Sequence, residues 1–242
     1  MEERRLIGVG VGPGDPELLT CKAVRVLREA DVVLVPAPVP ADAGPGRAEL
    51  AVRAHLTGDA TIRRVEVEGG EAGSAPGDRE ADWERAAQVS REAFAQGART
   101  VAYATLGDPS VYSMFAHLAR SVAESTDVSV EIVPGITAMQ ALAAASRTPL
   151  VEGTESLTLV PATAGLATFT DALEHSDTVV AYKGGRFLSA MHGELTRRGR
   201  LAGAVLGKHV GHDDETITPL ASLAPGGRGD DLTTVIVPAA RA

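Results

Sequence analysis

The chain carries a single cysteine, Cys21, among 242 residues. One thiol cannot build an internal disulfide framework or a multi-thiolate metal site. Aromatic residues make up only 3%, which removes the stacking platforms used to hold single-stranded nucleic acid. No apolar run approaches the roughly 20 residues needed to cross a bilayer. The apolar segment behind the charged start Met1-Glu2-Glu3-Arg4-Arg5 is interrupted by glycines, unlike the core of a signal peptide. Positive charge is in deficit too. The balance is −9, whereas a phosphate backbone calls for a basic surface. These absences argue against nucleic-acid and membrane partners and for a cytoplasmic protein. A local arginine cluster would nevertheless accommodate an anionic small molecule.

Glycine is abundant and placed to matter. The chain opens with Leu6-Ile7-Gly8-Val9-Gly10-Val11-Gly12-Pro13-Gly14-Asp15-Pro16-Glu17-Leu18-Leu19-Thr20. This reads as a short apolar strand, a turn carrying Gly10, Gly12 and Gly14, and an acidic helix start. Glycine lets a ligand approach the main chain closely. A glycine-rich loop at a strand's end is where an open α/β sheet binds small molecules. Pro13 and Pro16 lack N–H donors, so this loop is not an ordinary phosphate cradle.

The apolar pattern alternates between strand and helix along the chain. Strands are expected at residues 6–11, 31–35, 62–67, 99–105 and 128–133. Helices are expected at 16–29, 48–56, 79–96, 110–124 and 136–145, with Asp15 capping the first. Residues 36–47 read as a loop and 68–78 as a glycine-rich surface loop. Further on, strands are expected at 157–160, 178–182, 204–206 and 233–237, with helices at 166–174 and 187–198. The fold class is therefore α/β, with two α/β domains at residues 1–112 and 113–242 and a ligand cleft between them. The first holds a mostly parallel sheet and the second a mixed one. A hydrophobic fraction of 44% is ample for such cores.

Two more polar turns follow strands and precede helices. One is Tyr103-Ala104-Thr105-Leu106-Gly107-Asp108-Pro109-Ser110-Val111-Tyr112-Ser113, where Asp108 either caps a helix or shapes a polar pocket. The other is Val133-Pro134-Gly135-Ile136-Thr137-Ala138, where Thr137 caps or offers its hydroxyl to a ligand. Successive turns of this kind line one edge of a sheet.

In order and spacing, these segments resemble the tetrapyrrole methylases, which methylate corrin and siroheme precursors with S-adenosylmethionine. The resemblance rests on the opening glycine turn, Ala30-Asp31-Val32-Val33, the Leu-Gly-Asp-Pro-Ser-Val-Tyr-Ser run and Val-Pro-Gly-Ile-Thr-Ala. It extends to Thr148-Pro149-Leu150-Val151-Glu152-Gly153, Leu159-Val160-Pro161-Ala162-Thr163 and Val179-Val180-Ala181-Tyr182-Lys183-Gly184-Gly185-Arg186. These later segments resemble the branch that methylates C20 of precorrin-2, or of its cobalt form, in cobalamin biosynthesis. The resemblance covers nearly the whole chain and implies the tetrapyrrole methylase fold and a homodimer. It implies that Leu106, Gly107, Asp108, Val111, Tyr112, Thr137, Ala138, Tyr182, Lys183, Thr233 and Thr234 hold the methyl donor. It implies that Gly12, Pro13, Gly14 and Arg186 face the tetrapyrrole.

Two departures from the family pattern stand out. Siroheme-forming relatives carry an aspartate after the second strand that serves as a base, whereas this chain has Val35-Pro36-Ala37-Pro38. That argues against the siroheme branch and leaves the proton acceptor open between water, a substrate carboxylate and a side chain. Near the C-terminus the branch has an aromatic residue where this chain reads Asp231-Leu232-Thr233-Thr234. Precorrin-2 bears many carboxylates, which suit arginine. Arg47, Arg79 and Arg186 lie in or beside loops and are candidate clamps, with Lys183 and Arg186 the best pair. The histidines His55, His117, His175 and His192 read as surface or structural residues. His209 with His212-Asp213-Asp214 reads as a solvated loop rather than a metal site, and neither Glu155 nor Glu215 is assigned to catalysis. Two other functional readings stay open. One is a family methylase acting on another corrin carbon or another substrate. The other is a non-catalytic small-molecule binding protein of this fold.

Overall fold

A computed structural model describes residues 3–39, 44–56, 61–67, 79–224, 226–227, 229–230 and 232–241. The expected loop at 68–78 and Asp231 lie outside them. The chain divides into two compact units, Met1–Thr137 and Ala138–Ala242.

The first unit alternates strands and helices: β1 (Arg5–Gly10), α1 (Cys21–Glu29), β2 (Val32–Pro38), α2 (Arg47–Arg53), β3 (Thr61–Val67), α3 (Arg79–Ala95), β4 (Thr100–Thr105), α4 (Phe115–Ala123) and β5 (Ser129–Val133). The sheet order is β3-β2-β4-β1-β5, and every adjacent pair is parallel. Side chains alternate across a strand, so successive residues feed two cores. Ile7, Val9, Val33, Val35, Ala102 and Ala104 pack with residues of α1 and α2. Leu6, Val32, Leu34, Val101 and Tyr103 pack with residues of α3 and α4. Both faces of the sheet are covered, as parallel sheets require. Gly8 lies on the second face, where a Cβ would stand 2.5 Å from the ring of Phe115. The bare backbone makes room for that phenylalanine, which is itself fully buried.

The domain boundary expected at 112/113 differs from this division. β5 pairs with β1 over residues 129–133, so that strand and α4 belong with the first sheet. Other differences are local. The helix expected at 16–29 begins as a 3-10 turn, Pro16–Leu18, with Asp15 accepting the Glu17 N–H at 2.8 Å. Thr20 then caps α1 by accepting the Ala23 N–H at 3.0 Å. The strand expected to stop at 35 runs on to Pro38. Pairing of β2 with β4 ends at Leu34, whereas pairing with β3 continues to Pro38. Past Leu34 the strand has one partner, a setting that tolerates proline.

The second unit contains α5 (Ala138–Ser146), β6 (Leu157–Pro161), α6 (Leu166–His175), β7 (Thr178–Tyr182), α7 (Leu188–Arg197), β8 (Val205–Lys208), β9 (Thr216–Pro219) and β10 (Thr233–Val237). The sheet order is β6-β7-β10-β8-β9. β6 and β7 are parallel and the other pairs antiparallel, so the expected mixed sheet is present. Val179, Ala181, Val235 and Val237 pack with residues of α6 and α7. Val180 and Ile236, on the opposite face, pack with Leu142 of α5.

Candidate functional site

In the first unit the turns after β4, β1 and β5 stand side by side, because those strands are neighbours in the sheet. All three leave the C-terminal edge, the ligand edge of an open parallel sheet. Val11 N–H donates to the Thr105 carbonyl at 3.0 Å and Gly107 N–H to the Gly12 carbonyl at 2.7 Å. A Cβ on Gly10 would lie 2.5 Å from the Gly107 oxygen and 2.6 Å from the Gly135 nitrogen. One on Gly135 would lie 2.1 Å from the same oxygen. The turns touch main chain to main chain, which only glycine permits here.

Asp108 locks this arrangement. One carboxylate oxygen accepts the Ser110 N–H at 2.7 Å and is also bonded to the Ser110 hydroxyl. The other accepts the Gly135 N–H at 2.9 Å. Burial works to raise this carboxyl's pKa. The hydrogen bonds from Ser110 and Gly135 outweigh it and hold the group below the usual aspartate range. With both oxygens engaged, Asp108 organises backbone and is not arranged as a free base.

The helix expected from residue 110 starts at Phe115 instead. Residues 106–114 stay open, with Gly107 at φ +68° and Tyr112 at φ +51°. Tyr112 is 47% exposed, so it is a surface ring rather than a core one. Leu106 and Val111 are half-buried, and Thr137 is buried. Gly12, Pro13 and Gly14 are buried as well. Val35 and Ala37 are buried in β2 together with Pro36, so that segment presents no titratable side chain.

The second unit gathers its own group of assigned residues at one sheet edge. Thr234 pairs with Tyr182 and Thr233 with Lys208 across β10. The Gly184 N–H donates to the Thr233 carbonyl at 3.1 Å. The Tyr182 hydroxyl accepts the Met139 N–H at 3.0 Å, tying β7 to the first turn of α5 beside Ala138. Lys183 has φ +57°, a conformation uncommon outside glycine and found at functional turns. Arg186 is exposed in the 3-10 turn Gly185–Phe187 that follows. Arg47 opens α2 and Arg79 opens α3.

One residue expected in a solvated loop is drawn into this edge. His209 does not sit in a freely solvated loop. Its Nδ1 contacts the Asp214 carboxylate and its Nε2 the Asp230 carboxylate. The partners lie five and 21 residues away, and the longer spacing carries no periodic signal. Other histidines have structural partners: a ring nitrogen of His55 meets the Pro16 carbonyl at 2.7 Å, and His117 stacks on Trp83 at 4.1 Å. Glu155 pairs with Arg241, and Glu215 accepts the Gly211 N–H at 2.7 Å. Among the described residues, no group of three or more His, Cys, Asp or Glu side chains is arranged to hold a metal.

The family profile described as Tetrapyrrole (Corrin/Porphyrin) Methylases matches residues 5–224, and the chain belongs to that family. Among its relatives is the precorrin-2 C(20)-methyltransferase of a Sinorhizobium species, 35% identical over 222 residues, covering 91% of this chain and 89% of that one. The cobalamin biosynthesis protein CobIJ of Mycobacterium tuberculosis is 36% identical over 95% of this chain. The chain spans only 47%, about half, of that protein's length. Among solved structures, the uroporphyrin III C-methyl transferase of Thermus thermophilus superposes with a TM-score of 0.67 at 26% identity, over 97% of each chain.

Proposed function

We propose that the protein is an S-adenosylmethionine-dependent C-methyltransferase that methylates C20 of precorrin-2, or of its cobalt form, in cobalamin biosynthesis. The observation that carries this reading is the interlock of Gly10, Gly107, Asp108 and Gly135 at the C-terminal edge of the first sheet. It coincides with the motifs shared with the family, and a relative 35% identical along 89% of its length is named for this reaction.

In the first unit, the proposed donor contacts are Leu106, Gly107, Asp108, Val111, Tyr112 and Thr137. In the second they are Ala138, Tyr182, Lys183, Thr233 and Thr234. This set suits a sulfonium donor. Besides the Lys183 ammonium it offers backbone groups and neutral hydroxyls, and its one carboxylate is already committed to three donors. It contains no thiol or imidazole that would compete for the methyl group. The donor supplies an activated methyl group bound to positively charged sulfur. The protein's part is to align that methyl with the substrate carbon, mainly an effect of proximity and orientation. Rigid main-chain turns suit this, since a small misplacement is costly in rate. Gly12, Pro13 and Gly14 are proposed to face the ring. Arg186, exposed and next to the Lys183 turn, is proposed to meet a ring carboxylate.

The resemblance further supports a homodimeric, cytoplasmic enzyme, and sedimentation of the purified protein tests the dimer. Among the described residues, no helix is long and apolar enough to cross a membrane. The deciding experiment for the reaction is incubation of precorrin-2 with methyl-labelled donor. A trimethylated product carrying label at C20 supports the proposal. Label at another corrin carbon, or saturable S-adenosylhomocysteine binding without turnover, would replace it with the corresponding alternative.

A further inference from the structure

The ligand edge of the second unit contains a cross-brace built on His209. This residue follows β8 at φ +51°, a backbone conformation that costs a non-glycine residue free energy and persists only where its surroundings enforce it. Both ring nitrogens are engaged, Nδ1 with Asp214 and Nε2 with Asp230. Asp230 turns its other oxygen to the Leu232 N–H at 2.9 Å and the Thr233 hydroxyl at 3.4 Å. The His209 N–H donates to the Leu232 carbonyl at 3.3 Å. One imidazole therefore links the exit of β8 to the segment that enters β10.

That segment is pressed onto the turn after β7. The Gly229 N–H donates to the Gly185 carbonyl at 3.0 Å. A Cβ on Gly185 would stand 2.2 Å from the Asp230 carbonyl oxygen. Gly184 in turn bonds the Thr233 carbonyl, and Thr233 is fully buried. The contacts form a continuous chain, His209 to Asp230, Asp230 to Thr233, Thr233 to Gly184, directly beside Lys183.

We propose that His209 is a positioning residue for the methyl donor. Bridging Asp214 and Asp230, it holds the β10 entry against the Lys183–Gly185 turn and so sets Lys183, Thr233 and Thr234. The assignment rests on the donor reading given above and requires no contact between His209 and any ligand. It also removes His209 from the candidates for proton acceptor, since neither ring nitrogen is left open to a substrate.

The test has one readout that needs no ligand and one that does. In the ligand-free protein, His209→Ala speeds amide exchange at Gly229 and Leu232 by roughly tenfold or more, while the Val11 and Gly107 amides are unchanged. With precorrin-2 saturating, the same variant raises KM for S-adenosylmethionine roughly tenfold and keeps kcat within about twofold. His209→Arg, whose planar fork meets two carboxylates, restores slow exchange and low KM. A histidine that only supported the fold would lower the thermal midpoint and leave donor KM alone; that result, or unchanged exchange at Leu232, overturns the proposal. A wild-type protein that takes up no S-adenosylhomocysteine, while Leu232 exchange still responds to His209→Ala, overturns the donor reading and the positioning role with it. The exchange result keeps that failure distinct from failure of the brace.

Discussion

The Asp108 carboxylate accepts the Gly135 N–H at 2.9 Å and so joins two turns that stand 27 residues apart in the chain. The same carboxylate is held by Ser110 within its own turn. This makes Asp108 both a proposed contact of the ligand edge and a support of it. Asp108→Ala is therefore expected to weaken S-adenosylhomocysteine binding and also to destabilise the first unit by about 1–3 kcal/mol, the usual result of leaving buried donors without an acceptor. Calorimetric titration and denaturant melts measure the two effects separately. Unchanged affinity in a stably folded variant would remove Asp108 from the donor site.

The pH dependence follows from the lowered Asp108 pKa. A carboxyl whose folded pKa lies below its unfolded value of about 3.9 stabilises the protein above that value. The contribution fades as pH falls through the lower, folded pKa. The melting-temperature gap between wild type and Asp108→Asn should hold steady from about pH 7 to 5 and close below about pH 4. A gap that widens on acidification would contradict the hydrogen-bond account.

Two glycine substitutions should move stability in opposite directions. Gly135→Ala places a Cβ 2.1 Å from the Gly107 oxygen, a main-chain atom that cannot swing aside. It should cost about 3 kcal/mol, at the upper end for overpacking. Gly193 lies within α7, and a Cβ there meets nothing within 4 Å. Gly193→Ala should add about 0.5–1 kcal/mol through helix propensity and a stiffer unfolded chain. Urea titrations of both variants make the comparison.

Glu49 of α2 is completely buried and held by Arg64 at 2.8 and 3.1 Å and by Arg53 at 2.8 Å. Burial works to raise its pKa, and these guanidinium groups overcome that and lower it. Arg64→Met leaves the buried carboxylate with Arg53 alone among these guanidinium partners, and should destabilise by about 3 kcal/mol. Adding Glu49→Leu should recover much of the loss, because a buried pair replaced by apolar groups is often near neutral. A double variant no more stable than Arg64→Met would mean that Glu49 contributes through contacts other than its charge.

Thr137→Val keeps shape and removes a buried hydroxyl. Tyr182→Phe leaves the Met139 N–H without its phenol acceptor. Each should weaken S-adenosylhomocysteine binding about fivefold, roughly the net value of one hydrogen bond. Arg186→Ala should raise KM for the tetrapyrrole and leave donor affinity unchanged. The reverse pattern would reassign Arg186 to the donor.

Much of this architecture was legible because apolar periodicity and turn chemistry agree. Leu6 and Ile7, one residue apart, feed opposite cores of a two-sided parallel sheet, as a continuous apolar run implies. The glycine turns announced their places by composition alone. What escaped was set by long-range partners. The start of α4 slipped from 110 to 115 because Asp108 spends its hydrogen bonds on Ser110 and Gly135, and Tyr112 takes a left-handed backbone. β9, reading Thr-Ile-Thr-Pro, is too short and polar to stand out and exists through its pairing with β8. β2 passes through two prolines because one flank lacks a partner there. The bracing of His209 is invisible locally because the segment that captures it arrives from Asp230, near the chain's end.

Gly8 and Phe115 occupy what amounts to a single volume: the ring takes the space that a methyl group at position 8 would need. Neither site is free to drift alone. In homologous chains, any residue larger than glycine at the first position should travel with a slimmer one than phenylalanine at the second, so the two columns would vary in concert.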